Sequence, residues 1–465
     1  MRHIQSVNLA TLSQEIPLSV RNLGLRGLRR RQPSTTPEDV IGSRLHRAPN
    51  SPVTVPPRTS DGVLFHRSRN RGCCKPDGGN RLSSSAMTSP RPLPLAGVTV
   101  LDLGQIYQGP YAGFLLAQSG ARVIKIEPPT GETARQRGPN LPFAMLNSGK
   151  ESMVVDLKTA DGVSRFKTLV AKADVVLMNY APGVPERLGI GYEVLAKVNP
   201  RLVYAHACGF GVRNVDGSLS ESSVPAMDLT VQAHSGAMST TGHEGQPPLK
   251  SGTAYIDFLG GTHLYGAITT ALFEVERTGQ GRSVEVAMAD AAYFALATPL
   301  NQWQRTGSTM RHGNRHAGLN MAPYNVYDCT DGHVAIICVA NRHWRSLLAV
   351  IGQEQLIDDE RYRGHPVRAE RIDEVDAIVT AWTLQHGKFD AAEQLQKAHV
   401  PAAAVRTIDE VVRDEAQIGR QAIQWINHPQ LGEIPLHASP IRWHGSQLVP
   451  LVANPELGEH NDAKI

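Results

Sequence analysis

The chain has 465 residues, 41% hydrophobic and 19% charged: ordinary for a globular enzyme, too long for one typical domain, and without an apolar run long enough to span a membrane. Its net charge of +4 is unevenly spread: residues 1–86 hold thirteen Arg and one Lys against five acidic residues, a net +9, and the remainder is −5. A mildly acidic body has no general attraction for nucleic acid, so that class of partner is set aside along with a membrane.

Residues 1–86 are rich in Arg, Ser and Pro and lack sustained apolar periodicity, as in GLRGLRRRQPSTTP and NRGCCKPDGGNRLSSSAM. This basic leader is expected to be disordered, and it lacks the apolar core and cleavage site of a secretory signal. Two readings stand. An Arg-rich start with Glu15 as its only early acid fits a mitochondrial transit peptide and a matrix location. Met87, opening MTSPRPLPLAGVTVLDL just before the first strand, fits a start site in a cytoplasmic protein, with upstream sequence ahead of it. The five cysteines form no CxxC pair, which fits reduced thiols in an intracellular protein.

From residue 95 strand-like and helix-like segments alternate. VTVLDL (98–103), RVIKIE (122–127), SMVVDL (152–157), DVVLMN (174–179) and RLVYAHA (201–207) read as strands. GPYAGFLLAQSGA (109–121) and a segment near 161–172 read as helices. The alternation predicts an α/β fold, a Rossmann-like large domain with a parallel sheet. Gly104, Gly109 and Gly113 follow the first strand, and Glu127 closes the second, where a dinucleotide fold places its ribose-binding acid. The spacing is G-x4-G-x3-G and not G-x-G-x-x-G, which supports the architecture but not NAD binding. No Walker A run, HExxH, close His/Cys cluster or G-x-S-x-G occurs, so neither a metal site nor a hydrolase elbow is expected.

Around residue 308 the character changes. PYNVYDC and HVAIICV, with Thr330-Asp331-Gly332 between them, signal a hairpin, and residues 343–400 read as mostly helical. This predicts a smaller α+β domain over residues 306–419. Beyond residue 420, QWINHPQLGEIPLHASPIRW holds two short strand-like runs around a turn.

One acid stands out. In SGTAYIDFLGGTHLYGAITTAL (251–272), Asp257 sits among small and apolar neighbours at the start of a helix read over Ile256–Arg277. As an N-cap it would accept hydrogen bonds from free helix N–H groups. As a nucleophile it would gain from the same helix start, which favours ionised carboxylate, and from apolar walls that exclude water. Gly260 and Gly261 would admit a ligand or another backbone. From position alone both readings stand.

That run resembles the active-site segment of the class III CoA-transferases. The likeness continues through LAGVTVLDLGQIYQGPYAGFLLAQSGARVIKIEPP, ADVVLMNYAPGVPERLGIGYEVLAKVNPRLVYA and the terminal LGEH, in order over most of residues 95–460. The resemblance implies a large Rossmann-like domain built from residues 87–305 and 420–465, a small domain inserted late, and two subunits interlocked as a homodimer. It implies that Asp257 is the nucleophile, forming an acyl anhydride and then an aspartyl–CoA thioester. A small-molecule acyl-CoA, succinyl-CoA or similar, would be the donor and a carboxylic acid the acceptor. CoA thioester would be a substrate, with no permanently bound cofactor. Matching positions imply CoA contacts at Ile106, Tyr107, Gln108, Val155, Lys158, Asn179, Tyr180, Arg187 and Leu188; Lys158 and Arg187 are suited to phosphate.

The related 2-methylacyl-CoA racemases carry a His–Asp pair where this chain has Met227-Asp228. Methionine cannot transfer a proton, which disfavours racemisation. Asp228 is expected to orient Asp257 or the substrate, or to stabilise a turn. In RHGNRHAG (311–318), Arg311 and Arg315 are candidates to hold the distal carboxylate of a dicarboxylic acceptor. A CoA-binding protein without turnover is the non-enzymatic alternative, and retention of Asp257 argues against it.

Overall fold

The computed structural model describes residues 90–214, 216–218 and 224–465; the expectations for the basic leader lie outside them. Its centre is a six-stranded sheet. In chain order come β1 (Thr99–Asp102), α1 (Gln108–Gln118), β2 (Arg122–Glu127), α2 (Leu141–Asn147), β3 (Glu151–Val154), α3 (Ala160–Val170), β4 (Val175–Met178), α4 (Val184–Arg187), α5 (Tyr192–Val198) and β5 (Val203–Cys208). Next are α6 (Asp228–His234), the 24-residue α7 (Tyr255–Thr278) and β6 (Arg282–Ala287). The strands lie in the order β3-β2-β1-β4-β5-β6, and every pairing is parallel.

Alternate residues of each strand feed two cores, as the period of two requires. Val100, Val123, Val175 and Val203 pack with Ala112 and Leu116 of α1 and Leu264 and Ile268 of α7. Their neighbours Leu101, Ile124, Val176 and Tyr204 pack on the opposite face with Phe166 of α3 and Leu195 of α5. Burial on both faces explains why VVLM of β4 is apolar throughout. The strand order reverses between β1 and β4, and in such sheets the crevice beyond the carboxyl ends of the strands at that point takes ligands.

After β6 the chain forms α8 (Met288–Phe294) and α9 (Ala297–Thr306), then a three-stranded antiparallel sheet of β7 (Tyr324–Cys329), β8 (Gly332–Ile337) and, later, β9 (Ala402–Ala404). The hairpin turns at Thr330-Asp331. Between β8 and β9 lie α10 (Asn341–Val350), α11 (His365–Glu370), α12 (Ile372–Thr383) and α13 (Lys388–Lys397). Trp344, Leu347, Val375, Val379 and Leu395 cover one face of this sheet as a separate core. Two short helices, α14 (Ile408–Val412) and α15 (Glu415–Gly419), lead to the antiparallel pair β10 (Ile423–His428) and β11 (Gly432–His437). Ile434, Leu436 and Leu451 pack on Phe114 and Leu115 of α1 and Ala144 of α2. The final residues return to the edge of the large sheet, where Asn461 Oδ1 accepts the Val154 N–H at 2.8 Å. Among the described residues no helix is long and apolar enough to cross a membrane.

Candidate active site

The turn after β1 is held by side chains from several elements. Asp102 Oδ1 accepts the Gly104 N–H at 2.7 Å, and Lys125 Nζ donates to the Gly104 carbonyl at 2.8 Å. Asn179, just past β4, accepts the Gln105 N–H at 2.7 Å and donates to the Gln105 carbonyl at 2.9 Å. Beneath the turn Lys150 pairs with Asp102 at 2.7 Å, both side chains fully buried; losing one partner of such a pair costs about 3–5 kcal/mol. A Cβ on Gly113 would stand 2.5 Å from Asp102 Oδ2, and one on Gly104 would meet the Gly109 backbone at 2.8 Å. The three glycines of the G-x4-G-x3-G run therefore make room for this buried pair and turn. Glu127 is likewise engaged, in a two-pronged ion pair with Arg135 at 2.7 and 2.8 Å, so its carboxylate faces no ribose.

The turn delivers Ile106, in the left-handed region at φ 63°, then Tyr107 and Gln108 at the start of α1. Gln108 is 2% exposed, and its Nε2 has no hydrogen-bond partner among the described residues. Tyr107 stacks on Phe258 with ring centroids 5.9 Å apart, and Tyr111 meets the same ring edge-on at 4.9 Å. α1 and α7 approach closely because of two glycines. A Cβ on Gly261 would meet the Gln108 carbonyl at 2.7 Å, and one on Gly260 the Gln108 amide nitrogen at 2.7 Å.

Asp257 lies in the first turn of α7, whose N-cap is Ala254. The capping role goes instead to Asp228. Its Oδ2 accepts from the N–H groups of Ile256 at 2.9 Å and Asp257 at 3.3 Å. Gln232 steadies Asp228, donating to its Oδ1 while its own Oε1 accepts the Ser251 N–H at 2.9 Å. Asp257 is half-buried, and among the described residues no cation stands within ion-pair distance of it. Burial, and then the like charge of Asp228, push its carboxyl up to about 7. The expectation that the helix start favours its ionised form is overturned: the N–H groups there already serve Asp228. Asp257 and Gly260 are one helical turn apart, so the unpartnered Gln108 amide flanks the face that carries the acid. Met227, at the racemase histidine position, is an exposed residue capping α6.

Lys158, Arg187 and Leu188 line one open cleft of about 530 Å³, at the ends of β3 and α4. Lys167 of α3 joins them there; in the sequence it reads as an ordinary solvated cation, and nothing links it to residues twenty positions away. Asn179 and Tyr180 stand at the carboxyl end of β4, where the Asn179 amide grips Gln105 as described. The Val155 side chain is buried in the core, which leaves its backbone alone to meet a ligand. Arg315 is tied to Asp376 at 2.7 Å and Asp373 at 2.6 Å on α12. Arg311 donates to the carbonyls of Gln246, His243 and Ser239 at 2.6, 3.3 and 3.4 Å, all neutral acceptors. Tyr111 and Phe258, whose rings meet edge to face at the α1–α7 contact, escaped the sequence reading because aromatic residues at helical spacing read as core.

A half-buried carboxylate with no cation within ion-pair distance among the described residues, and an open cleft lined by Lys158, Lys167 and Arg187, are features suited to an acyl-handling enzyme. The profile of CoA-transferase family III matches residues 95–461, and the chain belongs to that family. It is 39% identical over 329 residues to an acetyl-CoA:oxalate CoA-transferase of Acetobacter aceti, an alignment covering 68% of this chain and 82% of the relative. It is 32% identical to the succinyl-CoA–D-citramalate CoA-transferase of Chloroflexus aurantiacus, covering 81% and 94%. Among solved structures, a CaiB/BaiF family protein from Brucella suis superposes with a TM-score of 0.69 at 31% identity, covering 80% of this chain and 98% of that one. The protein is a CoA-transferase, and the Rossmann-like reading of its sheet holds.

Proposed function

We propose that the protein moves coenzyme A from an acyl-CoA donor, succinyl-CoA or a close analogue, to a dicarboxylic acid through covalent intermediates on Asp257. The observation that carries this reading is the Asp257 carboxylate itself: half-buried, without a cation among the described residues, next in the chain to Phe258 on which Tyr107 stacks, and one helical turn from the glycine that meets the Gln108 amide. Ionised Asp257 attacks the thioester carbonyl, the C–S bond breaks, and CoA thiolate leaves an acyl–aspartyl anhydride. The thiolate attacks the aspartyl carbonyl, freeing the donor acid as carboxylate and giving an aspartyl–CoA thioester. The acceptor carboxylate displaces the thiolate to form a second anhydride, and the thiolate then takes the acceptor acyl group and restores Asp257. One thioester replaces another, so the sequence is balanced without a redox partner. The Gln108 Nε2 donates to oxygen as negative charge develops on it, where a fixed donor in a dry site is most effective.

Lys158, Lys167 and Arg187 suit the phosphates of CoA, with Leu188 and Tyr180 against its apolar parts. Val155 contributes through its backbone. The two relatives described above are named for oxalate and citramalate, both dicarboxylates, which supports an acceptor of that class. Of the two candidate cations for its distal carboxylate we favour Arg311, because the acids on Arg315 already outnumber its charge. We also read the protein as an interlocked homodimer with residues 306–419 as the smaller domain; the exposed Tyr293, Phe294 and Trp303 on α8 and α9 support a covered surface there.

A panel of acetyl-, formyl- and succinyl-CoA against oxalate, glutarate, itaconate, citramalate and carnitine tests the substrate reading. Transfer to at least one dicarboxylate is expected. Transfer confined to carnitine would refute the acceptor class.

A further inference from the structure

The turn that carries Tyr107 and Gln108 has a support outside the residues assigned so far. Glu132 follows the Pro128-Pro129 break after β2 and is 3% exposed. Its Oε2 accepts the Ala134 N–H at 2.8 Å and reaches the Ile106 N–H at 3.4 Å. Its Oε1 is buried without a hydrogen-bond partner among the described residues, 3.7 Å from Lys125 Nζ. Ile106 is the residue with left-handed φ, a conformation that non-glycine residues keep only where surrounding contacts enforce it. The N–H and carbonyl of Gly104, the N–H and carbonyl of Gln105, and the N–H of Ile106 are each bound by a side chain, and Glu132 supplies the last of these bonds. Next along the chain Tyr107 stacks on Phe258, the residue after Asp257.

We propose that Glu132 is a positioning residue: by holding the Ile106 N–H it keeps the Tyr107–Gln108 turn closed over Asp257, and so excludes water from the acyl-enzyme. This rests on the covalent reading above. If the turn loosens, water attacks the acyl carbonyl of the anhydride and the C–O bond to Asp257 breaks. The products are the acid as its carboxylate and the Asp257 carboxylate, with release of two protons, one of which the CoA thiolate takes up. Net, the thioester is hydrolysed to acid and CoA in place of transfer.

Two substitutions separate this role from a purely electrostatic one. Glu132→Gln keeps the reach and one acceptor oxygen but loses the charge facing Lys125. Glu132→Asp keeps the charge but draws the oxygen back by about 1.5 Å, one C–C bond, beyond reach of Ile106. Each variant is assayed for transfer, for thiol release from succinyl-CoA without acceptor, and for melting temperature. Closure by reach predicts that Glu132→Asp loses about tenfold or more in kcat for transfer, since small displacements at a reacting centre are costly. Its KM for the donor changes far less, and its ratio of hydrolysis to transfer rises. Glu132→Gln stays near wild type in that ratio. The reverse ranking, or a loss of rate that tracks melting temperature with an unchanged ratio, overturns the proposal. Asp257→Ala in the same assay keeps the two claims apart. If it still turns over, the covalent reading fails; if it is inert while Glu132→Asp matches wild type in rate and ratio, only the positioning role fails.

Discussion

Asp257 owes its character to what surrounds it. The folded enzyme holds its proton more tightly than the unfolded chain does, about 7 against 3.8, so ionising it opposes folding. That opposition is absent below the unfolded pKa, grows through the interval, and is fully present above about 7. Asp257→Asn is therefore expected to melt higher than wild type at pH 8 and to lose that advantage progressively as the pH falls from about 7 toward 3.8, measured by calorimetry. Activity runs the other way. The proposed nucleophile must be ionised, so kcat/KM for acyl-CoA should fall about tenfold per pH unit on the acid side of the Asp257 pKa. Asp228→Asn keeps an oxygen to cap Ile256 but removes the like charge, and should move that acid limb to lower pH. An unmoved limb would show that Asp228 acts through the cap alone. The sequence exposed Asp257 through its isolation but left its capping role open, because Asp228 lies 29 residues earlier and only the fold brings it to the α7 start.

At the scale of elements, the α1–α7 contact joins the turn to the acid. Gly261→Ala places a Cβ 2.7 Å from a backbone carbonyl that cannot move alone, and overpacking of that kind costs about 1–3 kcal/mol. Gly260→Ala meets only the end of the Gln108 side chain. It should leave the melting temperature close to wild type while lowering kcat, because the amide is pushed aside. Equal losses of stability in the two variants would contradict this contrast. The strands β1 to β5 and the long helix were legible because apolar runs of the right length and period leave few alternatives. Two strands were not. RSVEVA of β6 is half exposed and lies at a sheet edge, so its apolar signal is thin. The three alanines of β9 favour helix intrinsically and form a strand only because β8 pairs with them.

At the scale of the whole molecule, the proposed mechanism uses the cationic cleft and the acid as separate stations along one ligand. Lys158→Ala and Arg187→Ala should each raise the KM for acyl-CoA by about tenfold or more, the worth of a charge-assisted hydrogen bond, with kcat little changed. The effect should shrink at high ionic strength, since both side chains are exposed. Arg315→Ala should lower stability by unpairing Asp376 and leave the acceptor KM alone, while Arg311→Ala should raise that KM. The return of the C-terminal segment to β3 is invisible to periodicity: its hydrogen bonds come from an irregular run, such as His460 N–H to the Ser152 carbonyl at 2.9 Å. Resemblance along the chain, and not local pattern, pointed to it.

The covalent step on Asp257 is the centre of the account, and trapping tests it directly. The enzyme is incubated with acyl-CoA, quenched with hydroxylamine, digested, and its peptides weighed. A hydroxamate on Asp257 is expected, dependent on acyl-CoA and absent from Asp257→Ala, which is also inactive in transfer. An unmodified Asp257 peptide during turnover, together with full transfer by Asp257→Ala, would contradict it.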